Sequence, residues 1–221
     1  MEHIPHYNFV IATPGNSYTP AYVDSLLETI EFIHGEWKTY KLLNNYSSFV
    51  PSAREMTATG TVGHNWQTNE IGSGEFTYDQ IFWIDSDISW NVSDFEALYK
   101  SDKDIISGLY GVGAGGRTNT MRLEDGTPTS MDILSFMLED VEVEVDGVGF
   151  GFVRMNRGVF EKVSRPWFEI LKAPVEMRMV NLSEDYSFCK KAQESGFKIW
   201  VDPKVMVRHH KEIVVDLGRW T

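Results

Sequence analysis

IFWIDSDISW, residues 81–90, decides how the rest of the chain is read. Four apolar residues run into two aspartates, Asp85 and Asp87, separated only by Ser86. With Gln80 ahead of it, the run QIFWI (80–84) has the pattern of a strand buried on both faces, as in a parallel sheet. In open sheets of that kind ligands bind beyond the carboxyl ends of the strands, which puts both aspartates on the functional rim. Two carboxylates so close repel each other, so a positive group is expected between them. If the extended geometry persists, both side chains point one way and Ser86 the other. Two hard oxygen donors on one side suit Mg2+ or Mn2+, and such an ion can clamp a diphosphate. The alternative is a pair of aspartates that solvate a turn or cap the following helix.

On the N-terminal side, YNFVIA (7–12) reads as a buried strand that breaks at Thr13, Pro14 and Gly15. A helix follows, capped by Thr19, with Pro20 in its first turn and Gly35 at its stop. Val23, Leu26, Leu27, Ile30 and Ile33 recur at helical spacing and predict its apolar face. TYKLL (39–43) is a second strand leading into Asn44 and Asn45. Ser52 is the expected cap of a helix through Arg54, Met56 and Ala58, weakened at its end by Gly60 and Gly63. After the aspartates come a short helix around Phe95 to Tyr99 and the strand DIISGLY (104–110). Strands alternating with helices predict an α/β protein with a parallel sheet.

The second half has a different pattern. GVGAGGRTNT (111–120) is rich in glycine without apolar period and reads as a mobile loop. VEVEVDGVGFGFVRMN (141–156) alternates and then runs apolar, like an antiparallel pair of strands or one bent strand. A short helix (158–163), a helix capped by Ser183, the strand FKIWVDP (197–203) and the extended piece VMVRHH (205–210) follow. No internal repeat or interdomain linker interrupts the chain.

Composition narrows the function. The chain has 221 residues, 42% hydrophobic and 13% aromatic, which is enough for a packed core in one large domain. Its 20 basic and 32 acidic residues give a formal net charge of -12, which argues against a nucleic-acid binder. A phosphate-bearing ligand must then meet a local cation. Cys189 is the only cysteine, so neither an intrachain disulfide nor a cysteine-based zinc site is expected. The start carries no basic leader and no segment has the length of a membrane span, so a cytoplasmic location is the expectation.

Taken in order, six segments resemble the nucleotide-sugar-dependent glycosyltransferases of the GT-A fold, in particular the family 2-like group in a compact single-domain form. They are IATP, SAREMTATG, FWIDSDISW, VEVDGVGFGFVRMNRGVFEKV, LSEDYSFCKKAQESGFKIWVDP and VMVRHH. The resemblance covers nearly the whole chain. It implies a Rossmann-like, mixed, mainly parallel central sheet flanked by helices, in one domain of residues 1–221. Residues 1–110 form its nucleotide-binding half and residues 111–221 its sugar and acceptor half. It further implies transfer of a sugar from a nucleoside-diphosphate donor, a UDP-sugar before a GDP-sugar, to a hydroxyl acceptor, with Mn2+ or Mg2+ as cofactor.

The resemblance also assigns roles. Asp87 holds the metal directly, while Asp85 reaches the ribose or binds the ion through water. His209 is the third metal ligand; alternation puts Val205, Val207 and His209 on one face and His210 on the other, so at most one histidine binds. Asp185 is the base that takes the proton of the acceptor hydroxyl, and Glu184 holds a hydroxyl of donor or acceptor. At a helix start, though, both carboxylates also suit the helix dipole. Arg54 approaches the base or diphosphate, and Thr13, Pro14 and Asn44 sit at the strand ends where the nucleoside lies. Gly147, Gly149 and Gly151 alternate where a donor sugar would rest, with Gly149 the sugar-facing position; tight packing or a bulge would also require them. Two other functions use the same residues. One is a phosphatase of the haloacid dehalogenase type, which normally carries its Asp-x-Asp in the first strand. The other is a silent module that binds a sugar nucleotide.

Overall fold

The computed structural model of the chain describes residues 4–60, 68–113, 115–124, 127–175 and 178–211. Gly63, one of the glycines expected to weaken a helix end, lies outside the described residues. The first half contains β1 (His6–Ala12), α1 (Pro20–Gly35), β2 (Tyr40–Leu43) and α2 (Val50–Thr59). It continues with β3 (Thr77–Ile84), β4 (Ile88–Ser89), α3 (Val92–Lys100) and β5 (Ile105–Leu109). Next come β6 (Arg117–Glu124), β7 (Thr127–Asp132), β8 (Val143–Val145), β9 (Gly147–Val148), β10 (Phe152–Asn156) and α4 (Val159–Lys162). The chain ends with β11 (Lys172–Val175), β12 (Arg178–Asn181), α5 (Glu184–Glu194), β13 (Ile199–Met206) and β14 (Arg208–His209).

Seven strands form the central sheet in the order β2-β1-β3-β10-β5-β13-β8. Five run in one direction, and β10 and β8 oppose them. The sheet is therefore mixed and mainly parallel, with helices on its faces. As its apolar run predicts, β3 is covered on both sides. Ile81 and Trp83 face a core shared with Phe160 and Phe188, and Phe82 and Ile84 face one shared with Tyr22, Phe95 and Leu98. At about 1.5–3 kcal/mol for each fully buried large side chain, these two cores anchor the strand that carries the aspartates. Among the described residues no helix is long and apolar enough to cross a membrane.

Several local readings are corrected. On α1, Val23 and Leu27 are exposed, and the buried face is Tyr22, Ser25, Thr29 and Ile33. Trp90 is the cause: its backbone N–H donates to Ser25 Oγ (3.0 Å), which donates to the Trp90 carbonyl (2.7 Å), and its indole N–H donates to Thr29 Oγ1 (2.8 Å). The helix is rotated to satisfy a buried tryptophan. Thr19 does cap α1 through the Tyr22 N–H (3.2 Å), but α2 starts at Val50 with Phe49 in the cap position and no side-chain cap. Ser183 occupies the N-cap position of α5 but makes no side-chain cap hydrogen bond; its hydroxyl donates to Asp185.

The glycine-rich segment is not a loop throughout: Gly111 bridges to Thr118, and Ala114 lies outside the described residues. Residues 117–120 begin β6, where buried Thr118, Asn119 and Thr120 pair with hydroxyls and carbonyls rather than with apolar neighbours. Residues 141–156 are neither a hairpin nor one bent strand. They supply three short strands: β8 on the sheet edge, β9 against β6, and β10 between β3 and β5. FKIWVDP and the start of VMVRHH are one strand, β13, reaching Met206.

Candidate functional site

The insertion of β10 brings the glycine segment to the end of β3. Phe152 pairs with Ile84, and the Asp85 N–H donates to the Gly151 carbonyl (3.0 Å). The chain then turns tightly, with the Ile88 N–H on the Asp85 carbonyl (3.0 Å), so the extended geometry does not persist through Ser86. As a result the two aspartates have different partners. β4 pairs antiparallel with β14, setting His209 opposite Ile88, and the His210 N–H donates to the Asp87 carbonyl (2.8 Å). This short ladder carries His209 to Asp87 across 122 residues of sequence.

His209 Nε2 lies 3.1 Å from Asp87 Oδ2, and Nδ1 lies 2.8 Å from the Gly111 carbonyl. A carbonyl only accepts, so Nδ1 carries a proton. In the neutral ring the Nε2 lone pair then faces a carboxylate oxygen. That contact calls for a cation beside the oxygen, and in this structure the Lys211 ammonium lies 2.8 Å from it. A ring N–H given to a carbonyl is also how proteins orient a metal-binding imidazole. The donor set thus fits a divalent ion. Among the described residues, however, no three His, Cys, Asp or Glu side chains already converge on one point. His210 points elsewhere, with Nε2 2.7 Å from Ser89 Oγ.

Asp85 turns to Arg54. The guanidinium approaches Asp85 Oδ1 through Nη1 (3.1 Å) and Oδ2 through Nη2 (3.3 Å), and its Nε–H donates to Glu184 Oε1 (3.0 Å). Only 5% of the Arg54 side chain is exposed. Burial alone would lower its pKa, but Asp85, Glu184 and Asp185 hold it above the ordinary arginine range. Arg54 therefore ties the aspartate turn to the start of α5. It also lies over the Phe150 ring, 5.6 Å from its centre.

Asp185 sits half-buried on the first turn of α5. Oδ1 accepts from Ser183 Oγ and from the Tyr186 N–H (2.9 Å). Burial, followed by the charge of Glu184, pushes its carboxyl above the usual range, against the lowering effect of Arg54. Gly149 packs beside it: a Cβ there would stand 3.4 Å from Asp185 Oδ2 and only 2.5 Å from Tyr110 Oη. A Cβ at Gly151 would stand 2.6 Å from Tyr110 Cζ. The glycines are thus required by close approach of a buried tyrosine, whose hydroxyl also accepts from the Gly151 N–H (2.9 Å).

A cleft of about 730 Å³ is lined among others by Pro14, Tyr18, Arg54, Asp85, Asp87 and His209; Glu184, Asp185 and Gly149 lie behind Arg54 and Tyr110 and are not part of its lining. Thr13 is buried behind it, with Oγ1 2.6 Å from Tyr22 Oη. Asn44 donates to the carbonyls of Thr13 (2.7 Å) and Gly15 (2.8 Å), fixing the loop that carries Pro14. Sequence reasoning missed Tyr110 and Lys211. The alternating glycines were the available signal for the first; a lone lysine after two histidines gives none.

No protein-family model matches the chain, and no curated protein matches its sequence. Among solved structures it is similar to A197 from STIV, with 18% identity over 96% of this chain and 98% of that one and a TM-score of 0.49. The catalytic domain of Drosophila β1,4-galactosyltransferase 7, in complex with xylobiose, matches with 11% identity over 90% of this chain and 65% of that one, at a TM-score of 0.46. GalNAc-T7, in a crystal structure with UDP, GalNAc and Mn2+, matches with 12% identity over 95% of this chain and a TM-score of 0.56; the match spans 43% of the GalNAc-T7 chain. That likeness, together with the mixed seven-stranded sheet, shows the architecture of this chain to be the GT-A fold.

Proposed function

We propose that the chain is a metal-dependent glycosyltransferase that moves a sugar from a nucleoside-diphosphate sugar to a hydroxyl acceptor, acting as one domain of residues 1–221. The observation that carries this reading is the facing pair of Asp87 Oδ2 and His209 Nε2 at the end of β3, with Nδ1 already committed to Gly111. Asp87 and His209 would hold Mn2+ or Mg2+, which when bound supplies Lewis-acid stabilisation of the charge on the departing diphosphate. Asp85, held by Arg54, faces the ribose or assists through water. Pro14 and Tyr18 line the nucleoside side of the cleft, with Thr13 and Asn44 shaping it from behind. Residues 1–110 bind the nucleotide, and residues 111–221 shape the sugar and acceptor sites.

Asp185 takes the proton of the acceptor hydroxyl as it attacks the anomeric carbon, a role favoured by a raised carboxyl pKa. Glu184, anchored on Arg54, is set to hold a sugar hydroxyl, and Gly149 packs beside Asp185 Oδ2 without a side chain to crowd it. The presence of UDP and Mn2+ in the GalNAc-T7 structure supports a UDP-sugar and manganese as first choices. A phosphatase would need Asp85 as a free nucleophile, yet both of its oxygens lie within 3.3 Å of Arg54.

Calorimetric titration with UDP and GDP, each with and without Mn2+, tests the reading on wild type and Asp87→Ala. UDP binding that needs both Mn2+ and Asp87 is expected. Nucleotide binding indifferent to metal and to Asp87, or no binding at all, would sink it.

A further inference from the structure

The cations of the cleft are not equivalent. Arg54 is 5% exposed and already paired with Asp85 and Glu184, with only its Nη1 lacking a hydrogen bond, so most of its charge is taken up before an anion arrives. Lys211 lines the same cleft but is 64% exposed, on a flexible stem. Its Nζ lies 2.8 Å from Asp87 Oδ2, the same oxygen that His209 Nε2 approaches to 3.1 Å. The carboxylate oxygen expected to bind a divalent ion therefore holds an ammonium. An ammonium and a divalent ion on one oxygen would be a few ångströms apart and repel strongly.

We propose that Lys211 is an exchangeable counter-cation: it neutralises Asp87 until a divalent ion binds there, and then turns to the diphosphate of the donor. This rests on the metal-dependent reading above and adds a residue that the reading does not contain. Charge balance supports it. Asp85 and Asp87 line the cleft against Arg54 and Lys211, with Glu184 and Asp185 beside them. A diphosphate adds roughly two to three negative charges, more than a divalent ion alone offsets once the aspartates are counted. Freed from Asp87, the Lys211 ammonium can make charge-assisted hydrogen bonds to phosphate oxygens from the same wall. No covalent step is involved; one ion pair replaces another.

The exchange predicts effects of opposite sign from one substitution. In Lys211→Gln, Mn2+ titrated alone, followed by electron paramagnetic resonance of the free ion, is expected to bind about threefold more tightly, since a competitor is gone. UDP titrated calorimetrically at saturating Mn2+ is expected to bind roughly five- to tenfold more weakly. Lys211→Arg should keep UDP binding near wild type. Unchanged UDP affinity in Lys211→Gln, or weakening of both ligands together, would overturn the exchange. If wild type itself shows no metal-linked UDP binding, the metal-dependent reading fails and the exchange with it. Metal-linked binding that ignores Lys211 removes the exchange alone.

Discussion

At Asp185 the surroundings work against a negative charge: burial strips water from the carboxylate and Glu184 adds a like charge, with Arg54, Ser183 and Tyr186 offsetting this only in part. The folded protein therefore holds that proton more tightly than the unfolded chain does. By linkage, stability falls as pH rises from the ordinary carboxylate value through the raised folded one. Asp185→Asn removes the penalty. It is expected to stabilise the protein at neutral pH and, on the proposed role as base, to abolish transfer. Below about pH 4 the gain should vanish, because the carboxyl is then protonated in both states. Thermal unfolding of both proteins at the two pH values checks this. Equal destabilisation at both would make Asp185 a structural residue of the helix start. In wild type, kcat/KM should fall on the acid side at a higher pH than an ordinary aspartate would dictate, because a base fails once protonated.

At the scale of elements, the segment between β9 and β10 is held by contact with Tyr110. A Cβ at Gly151 would enter the tyrosine ring, itself packed edge-on against His209 at 5.4 Å between ring centres. Gly151→Ala is expected to cost about 1–3 kcal/mol by overpacking. Gly35→Ala has open space around it at the end of α1, and should be neutral or stabilising by up to about 1 kcal/mol. Urea denaturation of the two variants separates local crowding from a general intolerance of substitution. The same contrast explains what the sequence could reveal. β3 was legible because an apolar run buried on both faces leaves a plain pattern, and the α1 cap because a threonine before a proline has one local meaning. The buried face of α1 was not, because Ser25 and Thr29 face inward to hydrogen-bond Trp90, and polar packing has no hydrophobic period. The start of β6 escaped for the same reason. The insertion of β10 between β3 and β5 depends on which distant strand offers its edge, which local spacing does not encode. In the site, residue types and order were readable. That Arg54 pairs with carboxylates emerged only once the fold set its side chain between Asp85 and Glu184.

Over the whole molecule, the cleft is stitched from segments far apart in the chain. The β4–β14 ladder joins Asp87 to His209, and Arg54 joins Asp85, 31 residues away, to Glu184, 130 residues away. The second join has an energetic signature. Removing Arg54 leaves Asp85, Glu184 and Asp185 together in a half-buried place without their counter-charge, so Arg54→Met is expected to cost about 3–5 kcal/mol. Glu184→Gln alone should cost about 1 kcal/mol, because Arg54 keeps Asp85 and loses one charge-assisted hydrogen bond. Once Arg54 is absent, the Glu184 charge only repels its neighbours, and Glu184→Gln should become stabilising. The substitution thus changes sign with its background. A double-mutant cycle by urea denaturation at neutral pH reads the coupling directly. Additive effects would mean that Arg54 and Glu184 act independently and that the two motifs are merely adjacent. A sign reversal would mean that each half of the chain completes the charge balance of the other, so that neither motif is stable in its working arrangement alone.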